Sequence, residues 1–318
     1  MPSRNETIDV LKGILVIFVM IGHALLGSLD ENGLRYLIYS FHMPLFIFIS
    51  GYLINPTKLY QSKPKEVLFK YWHRMGKEWL IALLVYSAYL CLIKGFSIKF
   101  LLRCLLIPYY HLWYVPVLLI MIALAILIEY LAKSKERCML CYLVLSLFLF
   151  GLYSYSVTNP ILLTEVIEHY RLQYFMFFYL GILCRDIKIS ERNNKNVIIT
   201  LFWGGVIVSS IIMTLYLFGI SFSEYQRFFM LPICIVLCTG IVFPIICRNR
   251  LSSKVLSFIG KESLHFYLWH VIPLIVLKHL FKSTPYIYYS VVLLCLGLVL
   301  LIIKFIVHNE KEPSISDC

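Results

Sequence analysis

Three ionisable residues lie within the first long apolar segment of the chain: Asp9, Lys12 and His23. Ionisable groups in apolar segments are costly, and they usually serve ion, proton or substrate chemistry. Lys12 and His23 are eleven residues apart, which at about 100° per residue is roughly 20° from a whole number of helical turns. The two side chains are therefore predicted on one helix face, roughly 16 Å apart along the axis. Asp9 shares this face and can pair with Lys12.

The second apolar segment contains the run FHMPLFIFISG, in which His42 and Pro44 lie close together. A buried imidazole needs a hydrogen-bond partner, and a proline within a helix frees a carbonyl group. Both are tolerated where a helix lines protein or a polar cavity, and Ser50 with Gly51 permits close packing. Because the first two segments run in opposite directions, His42 and His23 are expected at similar depth. Alternatively, Pro44 is a simple kink and His42 a structural histidine.

Two later motifs carry further polar groups. The run HLWYVP opens the fourth segment with His111 and Trp113, and SLHFYLWH places Ser263, Tyr267 and His270 on one face of the ninth. A histidine suits proton transfer because its pKa lies near physiological pH. Both motifs also have ordinary structural interpretations, since Trp and Tyr anchor helices at membrane interfaces and polar contacts pack helices together.

The composition shows what kind of chain must position these groups. The 318 residues are 60% hydrophobic and 14% charged, and the mean hydropathy is +0.82, whereas a soluble domain has about 25% charged residues. Segments of about 20 apolar residues can span a bilayer. We predict an all-α polytopic membrane helical bundle that forms one domain over 1–318. It has about ten spans, roughly 8–28, 36–54, 79–97, 112–131, 139–157, 171–184, 197–218, 229–247, 263–281 and 285–306.

The distribution of basic residues predicts the orientation. With the N-terminus in the cytoplasm, 21 of the 29 Lys and Arg residues fall on the cytoplasmic side and 8 on the outer side, in agreement with the positive-inside rule. Both termini are thus predicted to be cytoplasmic. The net charge of +12 reflects topology and contact with anionic lipid heads, and no nucleic-acid partner is expected. The first apolar run is too long for a signal peptide, so we expect a retained span.

Basic residues outside the predicted spans are further candidates for contacts with substrate. The basic segment 55–79 is predicted as a cytoplasmic loop between spans two and three. Arg74 in this loop and Arg185 lie at the predicted cytoplasmic surface, where they could hold phosphate groups or could simply follow the charge rule. Arg35 lies on the predicted outer side. The ten cysteines are scattered, and the single C-x-x-C motif lacks a second ligand pair, so neither a metal site nor a disulfide is predicted.

Four motifs occur in order over the predicted spans: DVLKGILVIFVMIGHALLG, YSFHMPLFIFISGYL, HLWYVPVLLI and IGKESLHFYLWH. In this order they resemble the acyltransferase-3 family of integral-membrane O-acyltransferases, in its compact branch that acetylates bacterial surface polysaccharides. The family's signature is a basic residue, ten residues and then a histidine in the first span, which Lys12 and His23 match. Many members carry arginine where this chain has Lys12. The extra extracytoplasmic hydrolase-like domain of some relatives is not expected here.

The resemblance implies transfer of an acetyl or acyl group from cytoplasmic acyl-CoA to a sugar hydroxyl of a surface polysaccharide, an O-antigen or its lipid-linked precursor. The protein is expected in the bacterial plasma (inner) membrane. Acyl-CoA is the expected co-substrate, and no bound cofactor is expected. His23 is the implied catalytic residue, with His42 beside it, and Lys12, Arg74 and Arg185 are expected to bind acyl-CoA. The residues expected to contact the acceptor or to support the site are Asp9, Arg35, His111, Trp113, Ser263, Tyr267 and His270.

Alternatives to this interpretation remain open. In the favoured mechanism His23 is a general base for direct attack by the hydroxyl, and a relay through acetyl-histidine is second. A proton-coupled transporter could use the same intramembrane His and Lys residues, although the chain shows no convincing internal repeat of the kind many transporters have. A third alternative is a lipid-modifying acyltransferase of a different fold.

Overall fold

The computed structural model describes residues 5–28, 31–95, 97–109, 111–132, 134–159, 162–190, 195–217, 226–281 and 283–309. Within these ranges the regular secondary structure is helical and no strand occurs, which confirms the predicted all-α fold class. Eight helices of the described chain are long and apolar enough to cross a membrane by length and composition. These helices are those of a multi-pass membrane protein.

The α-helices follow one another with short connections. In chain order they are α1 (Glu6–Ala24), α2 (Gly33–Leu53), α3 (Pro56–Gln61), α4 (Pro64–Tyr71), α5 (Lys77–Lys94), α6 (Ile98–Leu106), α7 (Tyr114–Ala132), α8 (Lys135–Thr158), α9 (Leu162–His169), α10 (Phe175–Ser190), α11 (Lys195–Leu217), α12 (Gln226–Leu237), α13 (Phe243–Arg248), α14 (Lys254–Lys261), α15 (Ser263–Trp269), α16 (Val271–Phe281) and α17 (Pro285–Asn309). Shorter stretches are π-helical at Trp72–Gly76 and Cys238–Val242 and 3₁₀-helical at Leu172–Tyr174.

Two of the ten predicted spans do not coincide with the eight long apolar helices. The sixth predicted span, 171–184, overlaps α10, which has 16 residues. The seventh, 197–218, overlaps α11, whose apolar part is Ile198–Ile211. That the sixth and seventh segments span the membrane therefore stays a prediction. The basic segment 55–79, predicted as a loop between spans two and three, is largely helical through α3, α4 and the first π-helical stretch.

The helices group into two compact units, one formed by 1–43 with 202–318 and the other by 44–201. Helix α2 passes from the first unit to the second between Met43 and Pro44. The N-terminal and C-terminal parts of the chain therefore fold together in the first unit. The sequence prediction of one domain over 1–318 stays a prediction.

In the first unit, α1 packs closely against α14 because glycines remove side chains from the contact. A Cβ atom at Gly13 would collide with the carbonyl oxygen of Leu256, and one at Gly260 would collide with that of Asp9. The N-terminal end of α1 is capped by Asn5, whose side chain accepts a hydrogen bond from a backbone N–H three residues on. These contacts fix the position of α1 at its N-terminal half.

In the second unit, the C-terminal half of α2 packs against α10 in the same way. A Cβ atom at Gly51 would collide with the carbonyl oxygen of Phe178, and one at Gly181 with that of Phe48. This confirms the close packing that the sequence predicted at Gly51. Small residues allow such backbone contact between membrane helices, where packing rather than water exclusion drives association.

The glycine contact between α1 and α14 gives a test of the fold. We expect Gly260→Leu to destabilise the protein by about 1–3 kcal/mol or more, because the side chain would be forced into the backbone of α1. The apparent melting temperature of the detergent-solubilised protein is the measurement. Gly297→Leu in α17 is the matched control, since a Cβ there meets no atom within 4 Å. Equal melting temperatures for the two variants would contradict the close packing.

Candidate active site

His23 lies in the last turn of α1, and its side chain is buried, with 8% exposed. Its Nδ1 atom lies 3.0 Å from the hydroxyl of Tyr39 on α2. The ring of His23 also packs against that of His270, with 5.0 Å between the ring centroids. The imidazole is therefore oriented by a hydrogen bond at Nδ1 and by ring packing. If Nδ1 carries the proton, Nε2 is the acceptor nitrogen of the ring.

Tyr39 connects the two histidines that the sequence predicted at similar depth. Its ring packs edge-on against His23, at 5.5 Å between centroids, and against His42, at 5.3 Å. His42 is buried, and its Nδ1 atom contacts the carbonyl oxygen of Ile38 one turn earlier in α2. A carbonyl can only accept, so Nδ1 of His42 donates this hydrogen bond and Nε2 is its acceptor nitrogen. Sequence reasoning missed Tyr39, although it stands three residues before His42.

His270 follows α15 and is also buried. Its Nδ1 atom lies 3.0 Å from the carbonyl oxygen of Phe266 and 2.8 Å from that of Tyr267. These contacts assign a proton to Nδ1, and a neutral ring then presents Nε2 as an acceptor. Ser263 and Tyr267, predicted on the same helix face, are buried with it. The structure thus brings His23, Tyr39, His42 and His270 together in the first unit.

Three residues of α16 and α17 hold the C-terminal end of α1. Lys278 donates a hydrogen bond from Nζ to the backbone carbonyl of His23 itself, at 2.8 Å. The Tyr288 hydroxyl donates to the next carbonyl at 2.7 Å, and the Tyr289 hydroxyl accepts from the backbone N–H of Leu26 at 3.0 Å. The last carbonyl groups of a helix have no partner within the helix, so Lys278 and Tyr288 satisfy two of them, while Tyr289 bonds an N–H group just beyond the helix. Sequence reasoning did not identify any of the three.

Arg35 lies at the start of α2, where the connection from α1 returns. Its guanidinium carbon is 5.4 Å from the centre of the Tyr39 ring, and its Nη1 atom donates to the carbonyl of Gly27. In the same connection the backbone N–H of Ser28 donates to Glu31 at 2.7 Å, and this hydrogen bond lowers the pKa of that carboxyl. Arg35 therefore supports the Tyr39 side of the histidine cluster.

Asp9 and Lys12 lie at the other end of α1. Asp9 is buried, with 5% of its surface exposed, and Lys12 is half-buried. A cavity of about 340 Å³ adjoins Asp9, and its other charged lining residues are Glu6 of α1 and Lys254 and Lys261 of α14. In the sequence, these two lysines only contribute to the excess of basic residues on the predicted cytoplasmic side. They add two cations to the end of α1 that carries Lys12.

The second unit contains the remaining candidates. Arg74 is exposed in the π-helical stretch, and Arg185 is half-buried, donating from Nη1 to the backbone carbonyl of Tyr52 at 3.0 Å. Both guanidinium groups act electrostatically on the hydroxyl of Tyr71, so the structure places them near one point. Within the described chain, the Nε atom of Arg185 is buried and has no hydrogen-bond partner.

His111 and Trp113 also belong to the second unit. His111 is 2% exposed and packs edge-on against Tyr86, with ring centroids 4.9 Å apart. Trp113 is half-buried, and its ring lies 6.2 Å from that of Tyr174. Among the residues that the structure describes, no group of three or more His, Cys, Asp or Glu residues could hold a metal ion.

The family described as "Acyltransferase domain" matches residues 5–306. Nodulation protein NolL of Sinorhizobium fredii (strain NBRC 101917 / NGR234) is 43% identical over 67 residues. This match covers 19% of the chain and 18% of NolL, so the chain covers less than a fifth of that relative's length. No solved structure matches the chain.

Proposed function

This chain belongs to the acyltransferase-3 family, and on that premise we propose that it transfers an acetyl or acyl group from acyl-CoA to a hydroxyl group of a carbohydrate. The observation that carries the proposal is the buried cluster of His23, His42 and His270 around Tyr39. The carbohydrate acceptor follows from the resemblance of the motifs to the branch that acetylates bacterial surface polysaccharides. The finer proposal is a surface polysaccharide, an O-antigen or its lipid-linked precursor at the plasma membrane.

His23 acts as the general base in the proposed reaction. Its Nε2 atom takes the proton of the acceptor hydroxyl as the oxygen attacks the thioester carbonyl. The carbon–sulfur bond then breaks, and the CoA thiolate leaves and takes the proton from His23, so the products are an ester and free CoA. Tyr39 is a positioning residue, because its hydroxyl contacts the other ring nitrogen of His23. The acceptor nitrogens of His42 and His270 suit hydrogen bonds to sugar hydroxyls.

Acyl-CoA is the donor that fits the cationic residues of the predicted cytoplasmic side. Lys12 lies on α1 eleven residues before His23, or about 16 Å along the axis, which is of the order that a pantetheine arm can reach. Lys254 and Lys261 line the cavity next to Asp9. In the second unit, Arg74 and Arg185 lie near Tyr71. Guanidinium groups suit phosphate oxygens because they donate two parallel hydrogen bonds, whereas lysine acts as a point charge.

Replacement of the proposed base gives the first functional test. We expect His23→Ala to reduce acetyl groups on the producing cell's surface glycan at least about 100-fold at equal membrane abundance, because general-base catalysis contributes about 10²–10⁴-fold. His279→Ala is the matched control, since His279 is exposed on α16. Unchanged acetylation in the His23 variant would contradict its role. Glycan without acetyl groups in cells with the unaltered protein would favour another acyl group or a transporter.

Replacement of Arg74 tests the donor. We expect Arg74→Gln to raise the KM for acetyl-CoA about tenfold with little change in kcat, because a lost phosphate contact weakens donor binding alone. The measurement is the initial rate of CoA thiol release by the purified protein in lipid nanodiscs. Arg137→Gln, at an exposed arginine of α8, is the control. If both variants keep the KM of the unaltered protein, Arg74 does not bind the donor.

A further inference from the structure

The segment between α9 and α10 has an unusual backbone. Helix α9 ends at His169, and Arg171 then adopts a left-handed conformation with φ of 49° before the 3₁₀ turn at Leu172–Tyr174. This conformation is unfavourable for a residue with a side chain, because Cβ comes too close to the following carbonyl oxygen. Such residues persist where the surroundings hold them in place, and they are common at ligand sites. In the sequence alone, Arg171 is only one of the eight basic residues on the predicted outer side.

Arg171 has no carboxylate bonded to its guanidinium group in the part of the chain that the structure describes. Its Nη1 atom donates to the neutral hydroxyl of Tyr153 at 2.8 Å. Glu168 and the Tyr174 hydroxyl also act electrostatically on this guanidinium. A half-buried guanidinium with five donors thus has unused capacity for an oxyanion.

Two hydrogen-bond acceptors flank Arg171 in the same segment. Gln173 is 4% exposed, and its side-chain oxygen has no hydrogen-bond partner among the described residues. The Nε2 atom of His169 is likewise buried without one, while the ring bonds to the carbonyl of Pro108. Burial and the Arg171 cation lower the pKa of His169 to about 4, so Nε2 is an acceptor at neutral pH. Buried polar atoms without partners call for a ligand or water.

An aromatic pair adjoins these polar groups. The rings of Trp113 and Tyr174 lie 6.2 Å apart, and both side chains are half-buried. Tyr174 is also one of the residues that act electrostatically on Arg171. Sugars combine hydroxyl groups with apolar C–H faces, and aromatic rings offer a rigid apolar surface with a polar edge for such molecules. Carbohydrate is therefore the ligand class that matches acceptors, donors and rings together.

We propose that His169, Arg171, Gln173, Tyr174 and Trp113 form a binding site for an acidic glycan, in which Arg171 binds an oxyanion carried by a sugar. The proposal rests on the proposed function, because it assigns the acceptor class of the same reaction. The oxyanion is a sugar carboxylate or a sugar phosphate, and both chemistries use the same guanidinium fork. The charge distribution of the sequence predicts this segment on the outer side, where the acceptor is expected.

The experiment is a binding measurement without acyl donor. Protein in lipid nanodiscs is titrated with glucuronic acid, glucose 1-phosphate and glucose, and dissociation constants are taken from saturation-transfer difference NMR. We expect one acidic sugar to bind at least about tenfold more tightly than glucose. Arg171→Gln should remove this preference. Arg103→Gln should keep it within about twofold, because Arg103 is exposed and already pairs with Glu165 at 2.9 Å.

Each outcome supports or overturns the site. The acidic sugar that binds identifies the oxyanion as carboxylate or phosphate. Equal binding of all three sugars, or an acidic preference that survives in Arg171→Gln, would overturn the proposal. If Arg171→Gln does not fold, Arg171→Lys keeps the charge and should retain part of the preference, while Trp113→Ala should weaken binding of all three sugars. Because no acyl transfer is needed, failure here leaves the role of His23 intact, and failure of the His23 test leaves this binding result intact.

Discussion

The position of His23 depends on how the last carbonyl groups of α1 are satisfied. These groups have no partner within the helix, and lipid supplies no water to bond them. Lys278 donates to the carbonyl of His23, and Tyr288 donates to the carbonyl of Ala24. The backbone of the proposed base is thus tied to α16 and α17. Tyr39 then fixes the ring, because its hydroxyl hydrogen-bonds with the Nδ1 atom of His23.

The same helix is fixed at its other end by backbone packing. Gly13 and Gly260 allow α1 and α14 to touch without side chains between them. A rigid α1 keeps Lys12 and His23 on one face, separated by about 16 Å. In the proposed reaction this separation keeps the phosphates of the donor at one end and the thioester at the other. Positioning of this kind lowers a barrier because the reacting groups need no further ordering.

The sequence indicated the histidines of the candidate site, but it did not indicate the residues that position them. Histidines are rare in apolar segments, so each one stands out in the sequence. Helical spacing predicts Ser263, Tyr267 and His270 on one face, and all three are buried in the structure. Tyr39 and Tyr288 gave no such signal, because tyrosine is common near membrane interfaces. In the sequence, Lys278 is only one of the basic residues on the predicted outer side, because its partner His23 lies 255 residues away along the chain. Long-range contacts of this kind have no local pattern.

The most direct test of the account is the catalytic rate of Lys278→Met, measured as CoA thiol release with a carbohydrate acceptor. We expect kcat to fall about 10- to 100-fold, because loss of the Lys278 contact would displace His23 and a small displacement of a reacting group has an effect of that size. The KM for acetyl-CoA should be unchanged in Lys278→Met, and Lys278→Arg should have most of the original kcat. The control Lys304→Met, at an exposed lysine of α17, should have the same kcat as the unaltered protein. An unchanged kcat in Lys278→Met would contradict the claim that this contact positions His23.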